Sequence, residues 1–158
     1  MILCRRIVCE RDSARAGADT FAGSSRLTAC APLARATQRR FGFQERRLAQ
    51  AGGRWLFIAG QIGWDKNQKI VSDDLIEQFD RALANVITIV TEAGGKSDQI
   101  ARLIIYVIDK DQYRTRMKEI GERYRARMGK HFPAMVLVQV AGLLEDHAKI
   151  EIEGIAVL

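Results

Sequence analysis

Ile100-Ala101-Arg102-Leu103-Ile104-Ile105-Tyr106-Val107-Ile108 stands between two segments of helical period, and that alternation decides the fold. Its enrichment in Ile, Leu, Tyr and Val reads as a strand. On the N-terminal side, residues 73–93 place Leu75, Ile76, Phe79, Leu83, Val86, Ile87 and Val90 on one stripe, which Asp73, Asp74, Glu77, Asp80 and Arg81 largely avoid. Asp74 and Glu77 have capping-box spacing, and Gly94-Gly95 supplies a stop. On the C-terminal side, residues 111–129 predict a second helix with Tyr113, Met117, Ile120, Tyr124 and Met128 on its buried stripe.

Working outward, residues 46–50 and 54–59 flank Ala51-Gly52-Gly53 and read as a hairpin. Trp55-Leu56-Phe57-Ile58 is apolar throughout, so both faces of that strand are expected to be covered. After Phe132-Pro133, residues 135–140 and 149–157 predict two more strands joined by a loop over 142–147. The order β-β-α-β-α-β-β predicts an α+β domain. Its helices lie on one face of a single sheet, and hairpins at both ends forbid an all-parallel arrangement.

The 158 residues are 47% hydrophobic and 28% charged, the composition of an ordinary globular chain with one domain over 41–158. No apolar run approaches the roughly 20 residues that cross a bilayer. The net charge of +6 is mostly local. Residues 1–40 hold eight arginines against Glu10, Asp12 and Asp19, whereas 41–158 hold 17 basic and 16 acidic side chains. A nearly neutral domain argues against nucleic acid as partner.

Residues 1–40 lack a sustained hydrophobic period and read as a disordered leader or a start called too far upstream. Their arginine and serine content also fits an organelle transit peptide, which Glu10, Asp12 and Asp19 oppose. Cys4, Cys9 and Cys30 all lie there, in no paired metal-ligand spacing. A cysteine-free domain points to a reducing, cytoplasmic setting.

Most catalytic kits are missing. His131 and His147 alone cannot build a histidine-rich metal site, and no domain cysteine is present to pair with them. Ser72 and Ser97 sit where caps are expected, and no phosphate-binding glycine loop occurs. What remains is a strand, Lys149-Ile150-Glu151-Ile152-Glu153, whose alternation sends Glu151 and Glu153 to one face. That is a solvated face or, in a protected cleft, a carboxylate able to orient or deprotonate water. The basic residues of 111–130 read as a solvated helix face laced by pairs such as Glu119 with Arg123, or as an RNA-facing stripe.

Four segments in register over 46–158 carry a family resemblance: Leu56-Phe57-Ile58-Ala59-Gly60-Gln61-Ile62, Ala82-Leu83-Ala84-Asn85-Val86, His131-Phe132-Pro133-Ala134, and Lys149-Ile150-Glu151-Ile152-Glu153-Gly154-Ile155-Ala156-Val157. Together they resemble the Rid superfamily, also called YjgF or endoribonuclease L-PSP. The resemblance implies a chorismate-mutase-like mixed sheet of about six strands with two helices on one face. It further implies a homotrimer whose sheets face an inner barrel, with clefts between subunits. Typical members hydrolyse reactive enamines and imines, such as 2-aminoacrylate, to a keto acid and ammonia without a cofactor.

In such enzymes a Pro-Ala-Arg turn grips the substrate carboxylate through two parallel hydrogen bonds. Here the turn reads Pro133-Ala134-Met135. Ala59 stands where a serine is usual, Met117 where an asparagine is, and the early Gly-Pro-Tyr is not recognisable around Phe41-Gly42-Phe43. Gly60, Gln61 and Glu151, the family's water-orienting carboxylate, are retained. The implied site therefore has Glu151 as catalytic residue and Ala59, Gly60, Gln61, Met117, Ala134 and Met135 against the substrate. Without the arginine, a neutral or aromatic metabolite is the expected ligand and turnover of 2-aminoacrylate is expected to be weak. A metabolite-binding protein without catalysis, and an RNA-binding protein or ribonuclease, are the alternatives.

Overall fold

The structure is a computed structural model describing residues 52–158. The expected leader, Phe41-Gly42-Phe43 and the strand predicted over 46–50 lie outside the described residues. In chain order the elements are β1 (Trp55–Ile62), α1 (Leu75–Glu92), β2 (Ile100–Val107), α2 (Lys110–Thr115), α3 (Met117–Met128), β3 (Ala134–Gln139) and β4 (Ile150–Val157). A 3₁₀ turn, Ser97–Gln99, leads into β2. None of the described helices is long and apolar enough to cross a membrane.

The described strands form one four-stranded sheet in the order β1-β4-β2-β3, where about six were expected. β4 is antiparallel to both β1 and β2, and β3 is parallel to β2. The sheet is therefore mixed, as expected, but for a different reason at its C-terminal end. β3 and β4 do not form the predicted hairpin; β2 lies between them. The β2-to-β3 step is a helical crossover, the long connection that parallel neighbours require. β4 then fills the gap between β1 and β2, both of whose edges would otherwise carry unpaired backbone groups.

α1 begins where the sequence places its cap. The Asp74 carboxylate accepts from the Ile76 N–H at 2.8 Å and the Glu77 N–H at 3.2 Å, and the Ser72 hydroxyl accepts from the Asp74 N–H at 3.0 Å. Gly94, at φ 84°, ends it. The stripe of Leu75, Phe79, Leu83, Val86 and Val90 is buried against Ile58, Leu103, Ile150 and Ile152 of the sheet. Burying side chains of this size stabilises the fold by roughly 1.5–3 kcal/mol each before the entropy of ordering them.

The single second helix expected over 111–129 is two. Arg116 breaks it, at φ −108° and ψ 19°. Its guanidinium reaches the Asp74 carboxylate at the start of α1 and donates twice to Glu119, at 3.0 and 2.8 Å. Glu119 is thus held by Arg116 rather than by the expected Arg123, and the break tethers α3 to the head of α1. Met117 follows the break and is 43% exposed, whereas Ile120, Tyr124 and Met128 are buried as expected.

The helices cover only one face of the sheet. Trp55 is 62% and Phe57 73% exposed on the other, so the described residues leave the second face of β1 uncovered. Val136 and Val138 of β3 are likewise exposed.

Candidate active site and apolar cleft

β1 is irregular where the site begins. Ile58 pairs with Gly154 and Gln61 with Ile152, so Ala59 and Gly60 stand opposite Glu153 alone. This two-against-one count is a β-bulge, which re-aims side chains and turns carbonyls out of the ladder. Gln61 satisfies those carbonyls: its amide donates to Ala59 O at 3.0 Å and Gly60 O at 3.1 Å. The Trp64 indole donates back to Gln61 Oε1 at 3.4 Å. Asn85 fastens the end of the strand to α1 by donating to Ile62 O at 3.2 Å and Trp64 O at 3.1 Å.

Glu151 lies across this bulge. The alternation of β4 buries Ile150 and Ile152 toward the helices and leaves Glu151 and Glu153 on the opposite face, as the sequence predicts. A Cβ at position 60 would fall inside the Glu151 carboxylate, so only glycine permits this approach. Burial, and secondarily the neighbouring negative charge of Glu153, push the Glu151 carboxyl above the usual carboxylate range. The Tyr106 hydroxyl donates to Glu153 Oε1 at 3.3 Å, and its own pKa is raised by burial and by that carboxylate.

Met135 and Met117 are found elsewhere. Met135 pairs with Leu103 in the β2–β3 ladder and shares its helix-side face. There it lines a cleft with Tyr113, Met117, Phe132 and Leu137, about 330 Å³ in volume. Phe132 stacks on Tyr124, centroids 5.2 Å apart, and the Tyr124 hydroxyl donates to His131 O at 2.8 Å. Burial pushes the Tyr113 phenol up to about 12. Ala134 pairs with Arg102 at the start of β3.

Within one chain the expected site is therefore in two halves. Ala59, Gly60, Gln61 and Glu151 meet at the bulge, and Met117 and Met135 meet in the cleft. β2 separates the strands that carry the two halves, and Glu151 and Met135 point to opposite faces of the sheet. Reading the sequence missed Asn85 as a clamp and Tyr113 and Arg125 as cleft residues. Asn85 sits inside a segment that carries the resemblance, but Arg125 is one of many basic residues on α3 and has no local mark.

Residues 46–158 match the family described as Endoribonuclease L-PSP. The chain is 36% identical over 108 residues to the 2-iminobutanoate/2-iminopropanoate deaminase of Salmonella typhimurium, a span of 66% of this chain and 80% of that one. Among solved structures, it resembles a Yersinia pestis protein of the conserved Rid protein family with TM-score 0.66 and 31% identity, covering 75% of this chain and 88% of that one. It also resembles E. coli TdcF with bound serine, with TM-score 0.58 and 31% identity, covering 70% and 84%. The chain belongs to the endoribonuclease L-PSP family of the Rid/YjgF superfamily.

Proposed function

We propose that this chain is a cytoplasmic imine or enamine hydrolase for a small neutral or aromatic metabolite, acting without a cofactor at clefts between the subunits of a homotrimer. The observation that carries the reading is the Glu151 carboxyl, partly desolvated and held against the Gly60 bulge. The deaminase name borne by the Salmonella typhimurium relative supports the reaction class.

The chemistry asks little beyond one positioned carboxylate. Glu151 takes a proton from water as the C–O bond forms at the C=N carbon and passes it to the nitrogen, giving a carbinolamine. It then takes the hydroxyl proton and delivers it to the nitrogen as the C=O bond forms and the C–N bond breaks, so that one imine and one water give one carbonyl compound and one ammonia. A carboxyl raised above its ordinary range is a better proton acceptor once ionised.

Two features support assembly. The sheet face opposite the helices exposes Trp55, Phe57, Val136 and Val138, an apolar surface that a second copy would bury. The two half-sites lie on opposite faces of one chain's sheet, so a site using both needs a residue set from each of two copies.

Met135 supplies no charge for a carboxylate placed at the Pro133-Ala134 turn, and the cleft around it is mostly apolar, with Met, Phe, Tyr and Leu side chains and Arg125. Imines generated in situ by an amino-acid oxidase from phenylalanine and from alanine, with ammonia release followed, provide the test. The aromatic imine is expected to be hydrolysed at least about tenfold faster than the three-carbon imine or 2-aminoacrylate. Equal or faster pyruvate formation from the small substrates would overturn the assignment. Gly60→Ala is expected to keep the fold, because the displaced atoms end a flexible side chain, and to lower turnover on the order of a hundredfold by misplacing Glu151. Circular dichroism and the same assay check both halves of that statement.

A binding protein without catalysis is the second reading, favoured by Met117 and Met135 standing where polar groups are usual. A metabolite that raises the melting temperature and is never consumed would select it. The RNA reading loses ground because Arg116 and Arg127, counted toward a basic stripe, are committed to Asp74, Glu119 and Asp80.

A further inference from the structure

We propose that the apolar cleft between α2, α3 and β3 takes a small aromatic carboxylate, with Arg125 as the cation that receives the carboxylate group. The inference rests on reading this cleft as part of the metabolite site, and it names the substrate class.

The cleft's shape sets the first requirement. At about 330 Å³ it lies near the lower end of the ~300–1,000 Å³ typical of small-molecule pockets, room for one ring and a short chain. Phe79, Tyr113, Phe132, Met117 and Met135 offer aromatic faces and polarisable thioethers, the surfaces that stack on or pack round an aromatic ring.

Arg125 sets the second. Among the described residues lining the cleft it is the only charged one. Its guanidinium folds back one turn along α3 over Gly121, where a Cβ would stand 3.2 Å from Nη1. Glycine at 121 leaves the space for that fold. Nearby cations have other duties: Arg116 pairs with Asp74 and Glu119, and Arg127 donates to Asp80 at 2.8 Å. Arg125 makes no ion pair among the described residues.

Arg125 is exposed at the rim of the cleft, open to an incoming anion, and its planar fork matches a carboxylate through two parallel hydrogen bonds. The Tyr113 hydroxyl has no hydrogen-bond partner among the described residues and offers a further polar contact. The cation thus lies on α3 rather than at position 135 of β3. A ligand must present an apolar body to the cleft and an acid group to α3, which a three-carbon imino acid is too small to do.

The test uses two non-reactive probes of the same shape, 3-phenylpropanoate and 3-phenylpropanamide, titrated calorimetrically into the full chain. The carboxylate is expected to bind roughly tenfold or more tightly than the amide. Arg125→Gln should erase that preference, whereas Arg123→Gln, which removes a charge from the same helix, should preserve it. Equal affinities in the unmodified chain, absence of binding by both probes, or a preference that survives Arg125→Gln would each overturn the proposal. Neither probe contains a C=N bond, so the titration can be repeated on Glu151→Gln. A chain that binds in this way but hydrolyses nothing loses the hydrolase reading alone, and a chain that hydrolyses imines without the Arg125-dependent preference loses the ligand assignment alone.

Discussion

Glu151→Gln is expected to reduce imine hydrolysis by roughly 10²–10⁴-fold, the range for removing a positioned acid-base group. Glutamine keeps the shape of the side chain, so packing against Gly60 survives and the loss is one of proton transfer. The pH dependence is a second signature. Because burial and Glu153 raise the Glu151 pKa, the ionised base is fully available only above a pH higher than an ordinary glutamate requires. Turnover should therefore rise with pH through that elevated pKa and then level. Stability should move the other way. A carboxyl that binds its proton more tightly in the folded than the unfolded state loses stability as pH rises from the unfolded toward the folded pKa. At neutral pH the substituted chain should accordingly melt at the same or a higher temperature. An unchanged rate, or a lower melting temperature together with the lost rate, would remove Glu151 from the chemistry and leave it a structural group.

The largest effect on stability is expected from Gln78→Leu. Gln78 is wholly buried, and its side chain makes three hydrogen bonds to backbone: its amide donates to Ser72 O at 2.7 Å and His147 O at 2.8 Å, and its carbonyl accepts from Lys149 N at 2.8 Å. These join the entry to α1 with the loop leading into β4. Leucine is similar in size and leaves three backbone groups without partners, at about 1–3 kcal/mol for each that remains dry. A loss of about 3–5 kcal/mol in chemical denaturation is the expected result. A change under about 1 kcal/mol would mean that water takes over the amide's bonds.

Gln78 also shows why much of the structure was not legible in the sequence. It lies on a helix whose apolar stripe is plain, and nothing local distinguishes it from Glu77 or Asp80. Its role depends on His147 and Lys149, far along the chain. The break at Arg116 is of the same kind, because the partner that draws its guanidinium out of the helix is Asp74. The placement of β4 likewise differs from what its local sequence suggests. Two strands separated by a short loop read as a hairpin, but pairing is settled by which neighbours offer open edges, and β1 and β2 offered two.

What the sequence determined by itself is whatever depends on near neighbours. α1 with its Asp74 cap and Gly94 stop, the strand character of β2 and β4, and the projection of Glu151 and Glu153 to one face all follow from period, capping and alternation. Family membership was also legible, since ordered motifs survive where a single motif would not decide. The tertiary structure alone decided the strand order, the bulge that brings Gly60 under Glu151, the separation of Glu151 from Met135 by β2, and the placing of Arg125 at the cleft. Each of these is a contact between residues distant in the chain, and its energy depends on burial and register that exist only once the sheet and helices have packed.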